Sequence, residues 1–107
     1  MSFDMEQTAK DMLAAMQGTL SAEWPEIRDC TERAVREEQD VLKEIAKARI
    51  EGAIDEDEMQ SQLDDEKETL KAVLLVCKVK AKRAAQDAAN AAIEVLKNAI
   101  RASVPGI

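Results

Sequence analysis

The chain has 107 residues, 46% apolar but only 2% aromatic, with 35% charged and a formal net charge of −7. That length allows one domain, and an apolar set led by alanine, with few β-branched or aromatic residues, argues against a sheet and for an all-α fold. Asp55 to Glu68 holds eight acids and one base, leaving fourteen of each sign elsewhere, so the excess charge sits in one segment and disfavours nucleic acid or an anionic membrane surface as partner.

The first ten residues lack the basic start and apolar centre of a secretory leader. The longest strictly apolar run, Ala72 to Cys77, is far too short to span a bilayer. A cytoplasmic chain without membrane contact is the expectation.

The first predicted helix covers about 4–17. Ser2 or Asp4 caps it, Gly18 ends it as the left-handed residue, and Met5, Ala9, Met12, Leu13, Met16 and Leu20 form its apolar face. Gly18 to Pro25 reads as a break, with Ser21 a possible cap, Trp24 an anchor over one end of the fold, and Pro25 in the first turn of the next helix. That second helix runs over about 25–51. Its stripe is Ile27, Cys30, Ala34, Glu38, Val41, Ile45 and Ala48, in alternating steps of three and four.

The turn that follows is the clearest local signal. Gly52 suits the left-handed position after the second helix, Ile54 a hydrophobic staple, and Asp55 with Glu58 a capping box. After Gly52 neither glycine nor proline recurs until Pro105, so the third helix is predicted over about 55–101, roughly 70 Å long at ~1.5 Å per residue. Its seam runs Met59, Leu63, Glu66, Leu70, Val73 and Cys77 into an alanine-rich rear half. A bend near Lys80 to Gln86 is the alternative that would let a single chain fold on itself.

A hairpin turning near residue 53.5 pairs residues whose numbers add to about 107. Cys30 then faces Cys77, Ala34 faces Val73, and Glu26, Asp29 and Glu32 lie near Lys78, Lys80 and Lys82. The same alignment carries residues 4–17 toward 90–103.

Candidate chemistry is sparse. With no histidine in the chain, the usual general base, Ser-His and Cys-His pairs and the Glu-x-x-His di-metal motif are all missing. No glycine-rich phosphate loop or nucleophile elbow occurs. The Asp55–Glu68 cluster fails as a calcium loop, because Gln60 stands where such a loop needs glycine; it reads as a solvated acidic helix start. Glu38 and Glu66 fall on the seam, where an acid usually sets register or pairs with a base such as Arg36, Lys67 or Lys71. Lys78 to Arg83 resembles a nucleic-acid patch in isolation, but the alignment neutralises it against the acids of the second helix. Cys30 and Cys77 read first as reduced seam thiols; a cross-helix disulfide is the second reading and a redox switch the third.

These features predict a long antiparallel helical hairpin plus a short N-terminal helix, one domain over 1–107, assembling into a four-helix-type bundle as a homodimer. The expected oligomer or partner surface comprises Met12, Leu13, Met16, Ala81, Ala84, Ala85, Ala88, Ala92, Leu96 and Ile100. The expected function is that of a non-catalytic structural or interaction protein without cofactor or metal. The alternative is a chaperone-like binder of another protein's amphipathic helix, held on the Met-rich face or the alanine-rich groove.

Overall fold

The computed structural model describes residues 3–105, so Ser2 as a cap and Met1 on the methionine face lie outside the described residues. Four helices and no strand are present among them: α1 (Met5–Thr19), α2 (Trp24–Ile50), α3 (Glu56–Val76) and α4 (Lys82–Ser103). The all-α bundle is therefore reached inside one chain. Its extents of 41 × 23 × 20 Å leave no room for a ~70 Å helix, and the predicted third helix is two helices.

Asp4 caps α1, its carboxylate accepting the Gln7 N–H at 3.1 Å. The helix continues through Gly18 to Thr19, where the Leu20 N–H still reaches the Met16 carbonyl at 2.9 Å. Burial of Leu20 on the same face as Met16 holds that extra turn, and Gly18 is not the left-handed stop. Ser21 does not cap α2; Glu23 occupies that position with no side-chain cap, and Pro25 lies in the first turn. Trp24 is buried in the core at this end.

The α2–α3 turn forms as its residues dictate. Gly52 has φ 81°, the Ala53 N–H bonds to the Ala48 carbonyl at 2.8 Å and the Gly52 N–H to Arg49 at 3.2 Å, the paired bonds of a Schellman stop. Asp55 and Glu58 then exchange capping bonds at 2.8 and 3.1 Å.

The end of α3 repeats that geometry without a glycine. The Val79 N–H bonds to the Leu74 carbonyl at 3.0 Å and the Lys78 N–H to Leu75 at 3.1 Å. Lys78 itself takes the left-handed conformation, φ 74°. Val79, buried beside Leu74 in the core, supplies the apolar contact that usually accompanies such a stop. The break thus falls at Cys77–Ala81, slightly ahead of the bend foreseen as the alternative.

α4 then runs back against α3 and α1, with Ala85, Ala88, Ala89, Ala92, Ile93, Leu96 and Ile100 buried. Its small residues let α1 pack along this face. α1 and α3 occupy opposite corners, each beside both α2 and α4. Asp4 and Thr8 share a surface cleft with Ser103 and Ala99, which is the alignment foreseen for residues 4–17 and 90–103. Thr8, Met12 and Met16 fill the core from α1.

Cys30 and Cys77 are joined by a disulfide, with Cα atoms 5.7 Å apart. The first reading of them as reduced thiols is corrected: the predicted register placed them opposite each other, and the resulting spacing is one a disulfide spans without backbone movement. At the other end of the bundle the Glu56 carboxylate bridges Arg49 of α2, at 3.3 Å, and Arg101 of α4. Hydrogen bonding from Arg101, ahead of that from Arg49, holds the Glu56 carboxyl below the usual carboxylate value against the opposing effect of desolvation.

The bond closes a loop of sequence separation 47, so chain entropy assigns it about 4 kcal/mol. Reduction, or Cys30→Ser with Cys77→Ser, is expected to lower the Tm by more than about 10 °C while preserving helical circular dichroism. Thermal melts with and without a phosphine reductant measure this, and an unchanged Tm would remove the bond from the account.

Candidate functional site

Seven of the ten residues expected to form a partner surface lie in the core of the single chain: Met12, Met16, Ala85, Ala88, Ala92, Leu96 and Ile100 are at most 1% exposed. The reason is the break at Lys78, which turns α4 back so that α1 covers its alanine face. Leu13 and Ala84 are half-buried and Ala81 is exposed ahead of α4. In the closed single chain these seven present no surface to a partner.

Besides the α1–α4 cleft, two further seams are open among the described residues. Along α1–α2, Leu13 lies in a cleft with Lys10, Arg28 and Glu32, and Arg28 pairs with Glu32 at 3.5 Å. Its charges are mixed and answer one another. Along α2–α3 a groove of about 510 Å³ has an apolar floor of Val41, Ile45 and Ala48, edged by Glu44, Asp65 and Glu66. No ion pair reaches those three acids among the described residues. Val41 is 45% exposed there, one of two large apolar side chains left so open among the described residues.

The groove follows from helix periodicity. Val41, Ile45 and Ala48 are steps of four and three on α2, and Gln62, Asp65 and Glu66 recur likewise on the facing side of α3. Paired residues keep numbers that add to about 107, as the hairpin register requires.

Glu38 and Glu66 meet across this seam. Neither pairs with Arg36, Lys67 or Lys71, as a seam acid was expected to do; Lys67 instead pairs with Asp64 on its own helix at 3.5 Å. One oxygen of Glu66, Oε2, is buried and receives no hydrogen bond. Burial first, then the charge and hydrogen bonding of Glu38, and last the charge of Asp65, push the Glu66 carboxyl up to about 7. Near neutrality the Glu66 carboxyl therefore still holds its proton in part.

The remaining candidates are dispersed. Lys78, Lys80 and Lys82 are exposed and make no ion pair among the described residues; Arg83 reaches only Asp87, at 4.0 Å. The expected neutralisation by Glu26, Asp29 and Glu32 does not form, because the chain leaves α3 at Lys78 and no longer runs beside α2. The contact that does form joins the Lys80 backbone N–H to the Glu23 carboxylate at 3.2 Å. Among the described residues no three His, Cys, Asp or Glu side chains converge as a metal would need, and no helix is long and apolar enough to cross a membrane.

No known protein family, curated protein or solved structure matches the chain.

The Glu38–Glu66 pair has a definite sign. A carboxyl raised from 4.5 to about 7 on folding binds its proton more tightly in the native state. Its contribution is fully present below about 4.5 and is lost as pH rises through about 7. Glu66→Gln keeps the shape without the charge. It is expected to stabilise the fold at pH 8 by on the order of 1 kcal/mol, after discounting for solvent screening, with little effect near pH 4.5. Urea denaturation of both proteins at the two pH values checks this, and an equal effect at both would refute the raised Glu66 carboxyl.

Proposed function

We propose that this protein is a non-catalytic interaction protein, a small helical adaptor whose α2–α3 groove takes a basic amphipathic helix of a partner. The supporting observation is the combination in one groove of exposed Val41 with the buried, unsatisfied Oε2 of Glu66. Apolar residues of a partner helix at i, i+3 and i+4 suit the floor of Val41, Ile45 and Ala48. A lysine or arginine on its flank would reach Glu38 and Glu66 and replace the Glu66 proton with a fixed positive charge. Glu44 and Asp65 extend the same acidic edge, which steers basic partners and repels acidic ones.

This reading retains the helix-capture alternative drawn from the sequence and moves it from the alanine-rich face to the α2–α3 seam. Catalysis has no place in it, since the groove offers carboxyl groups and no nucleophile activated by a base. A cytoplasmic location, expected from the sequence, sits awkwardly with Cys30–Cys77, because structural disulfides persist chiefly in oxidising compartments. The oxidised fraction in freshly quenched cell extract discriminates between the two.

The test is a titration of isotope-labelled protein with an 18-residue amphipathic peptide of leucine and lysine, beside its leucine–glutamate counterpart. Amide shifts should centre on Val41, Ile45, Gln62 and Glu66 with the basic peptide alone. Val41→Asp should weaken binding by about tenfold, as expected for an anchor near the centre of an interface. Calorimetry at pH 7 in buffers of different ionisation heat should show proton release on binding. Shifts spread over all exposed acids, indifferent to Val41→Asp, would reduce the interaction to general charge attraction and sink the proposal.

A further inference from the structure

The two helix stops on either side of α3 use the same hydrogen bonds with different residues at the left-handed position. At the first it is Gly52, φ 81°; at the second it is Lys78, φ 74°. Glycine adopts that conformation without penalty, whereas lysine carries a Cβ that opposes it. From Ala53 to Val104 the sequence holds neither glycine nor proline, so no residue of the connection Cys77–Ala81 disfavours helix strongly. The N-terminus of α4 is also unfinished: Ala81 stands at the cap position and provides no side-chain bond. The amides of Lys82, Arg83 and Ala84 are thereby the orphan donors of a helix start. A helix continuing from α3 into α4 would satisfy those donors, release Lys78 from φ 74° and lose two things, the burial of Val79 and the Lys80 N–H bond to Glu23.

We propose that Lys78–Ala81 is an exchange hinge, and that a second copy of this chain is the partner. α3 and α4 straighten into one helix of about 48 residues, and α4 packs onto α1 and α3 of the other copy in a reciprocal dimer. Every contact of α4 with α1 and α3 is remade between chains, which is why such exchange costs little. The disulfide favours this route of opening. Cys30–Cys77 closes a loop that contains α2 and α3 but not α4, so the hairpin stays together while α4 leaves. The α2–α3 groove belongs to one chain in both forms, and this inference stands or falls independently of the peptide-binding proposal.

The experiment refolds the oxidised full chain from denaturant at low and at high protein concentration. Light scattering on a sizing column then separates species of 11.8 kDa from those of twice that mass. High concentration should yield a dimer that persists on dilution. Hydrogen exchange of the isolated dimer should show protection at Ala81, Lys82, Arg83 and Ala84, whose amides are free of helical bonds in the monomer. Lys78→Gly fits the closed turn and disfavours the straight helix, and should lower the dimer constant by at least about a hundredfold. Val79→Ser weakens only the closed turn and should raise the dimer fraction. A chain that refolds as monomer at every concentration would overturn the hinge. So would a dimer without protection at those four amides, or one indifferent to Lys78→Gly, since a face-to-face dimer would behave in that way.

Discussion

Everything in this bundle depends on a chain of strong helix formers being made to stop at Lys78. If α3 ran on, α4 would point away from the hairpin, its alanine face would lie in water, and α1 would have nothing to cover. The stop is held by tertiary packing rather than by local preference. Val79 is buried next to Leu74, and Glu23 from the α1–α2 turn accepts the Lys80 N–H. A left-handed lysine costs on the order of 1 kcal/mol, while burying a valine side chain contributes about 1.5 kcal/mol or more. The fold therefore holds the turn by a narrow margin, and the alanine-rich contact of α1 with α4 depends on it.

The contrast between the two stops also explains what could be read in advance. Gly52, Ile54, Asp55 and Glu58 each carry a local signature; Gly52, Asp55 and Glu58 form the stop and the capping box, and Ile54 packs against the core. From that turn the hairpin register followed, which brought Cys30 opposite Cys77 and residues 4–17 opposite the C-terminal stretch. Lys78 carries no signature, since lysine is an ordinary helix former. Only the distant partners of Val79 and Lys80 reveal the turn, and those lie outside any local window. The groove shows the same division. Glu38 and Glu66 were legible as seam acids, but their facing each other without a base was not, because that depends on where Lys67 swings. The proposed partner surface was misplaced for one reason, the missed turn, which carried seven of its ten residues into the core.

Two features of the α2–α3 pair act in opposite directions. The disulfide constrains the unfolded chain and favours the hairpin. The paired carboxyl groups weaken it, leaving a buried oxygen without a donor and the Glu66 carboxyl raised toward neutral pH. A chain selected for stability alone would place glutamine or leucine at one of these positions. The seam thus combines a covalent clamp at one end with an electrostatic defect in its middle. Local strain tolerated in this way is common where a surface is used.

Charge along α3 is sorted by sign as well as by amount. Asp55, Glu56, Asp57 and Glu58 gather at one tip of the bundle, and Lys78, Lys80, Lys82 and Arg83 at the other, roughly 30 Å away along the helix. Each tip also carries the opposite sign from its neighbours: Arg49 and Arg101 meet Glu56 at the first, and Glu23 reaches Lys80 at the second. Near physiological ionic strength, with screening over about 8 Å, the charge of either tip is felt only at close approach.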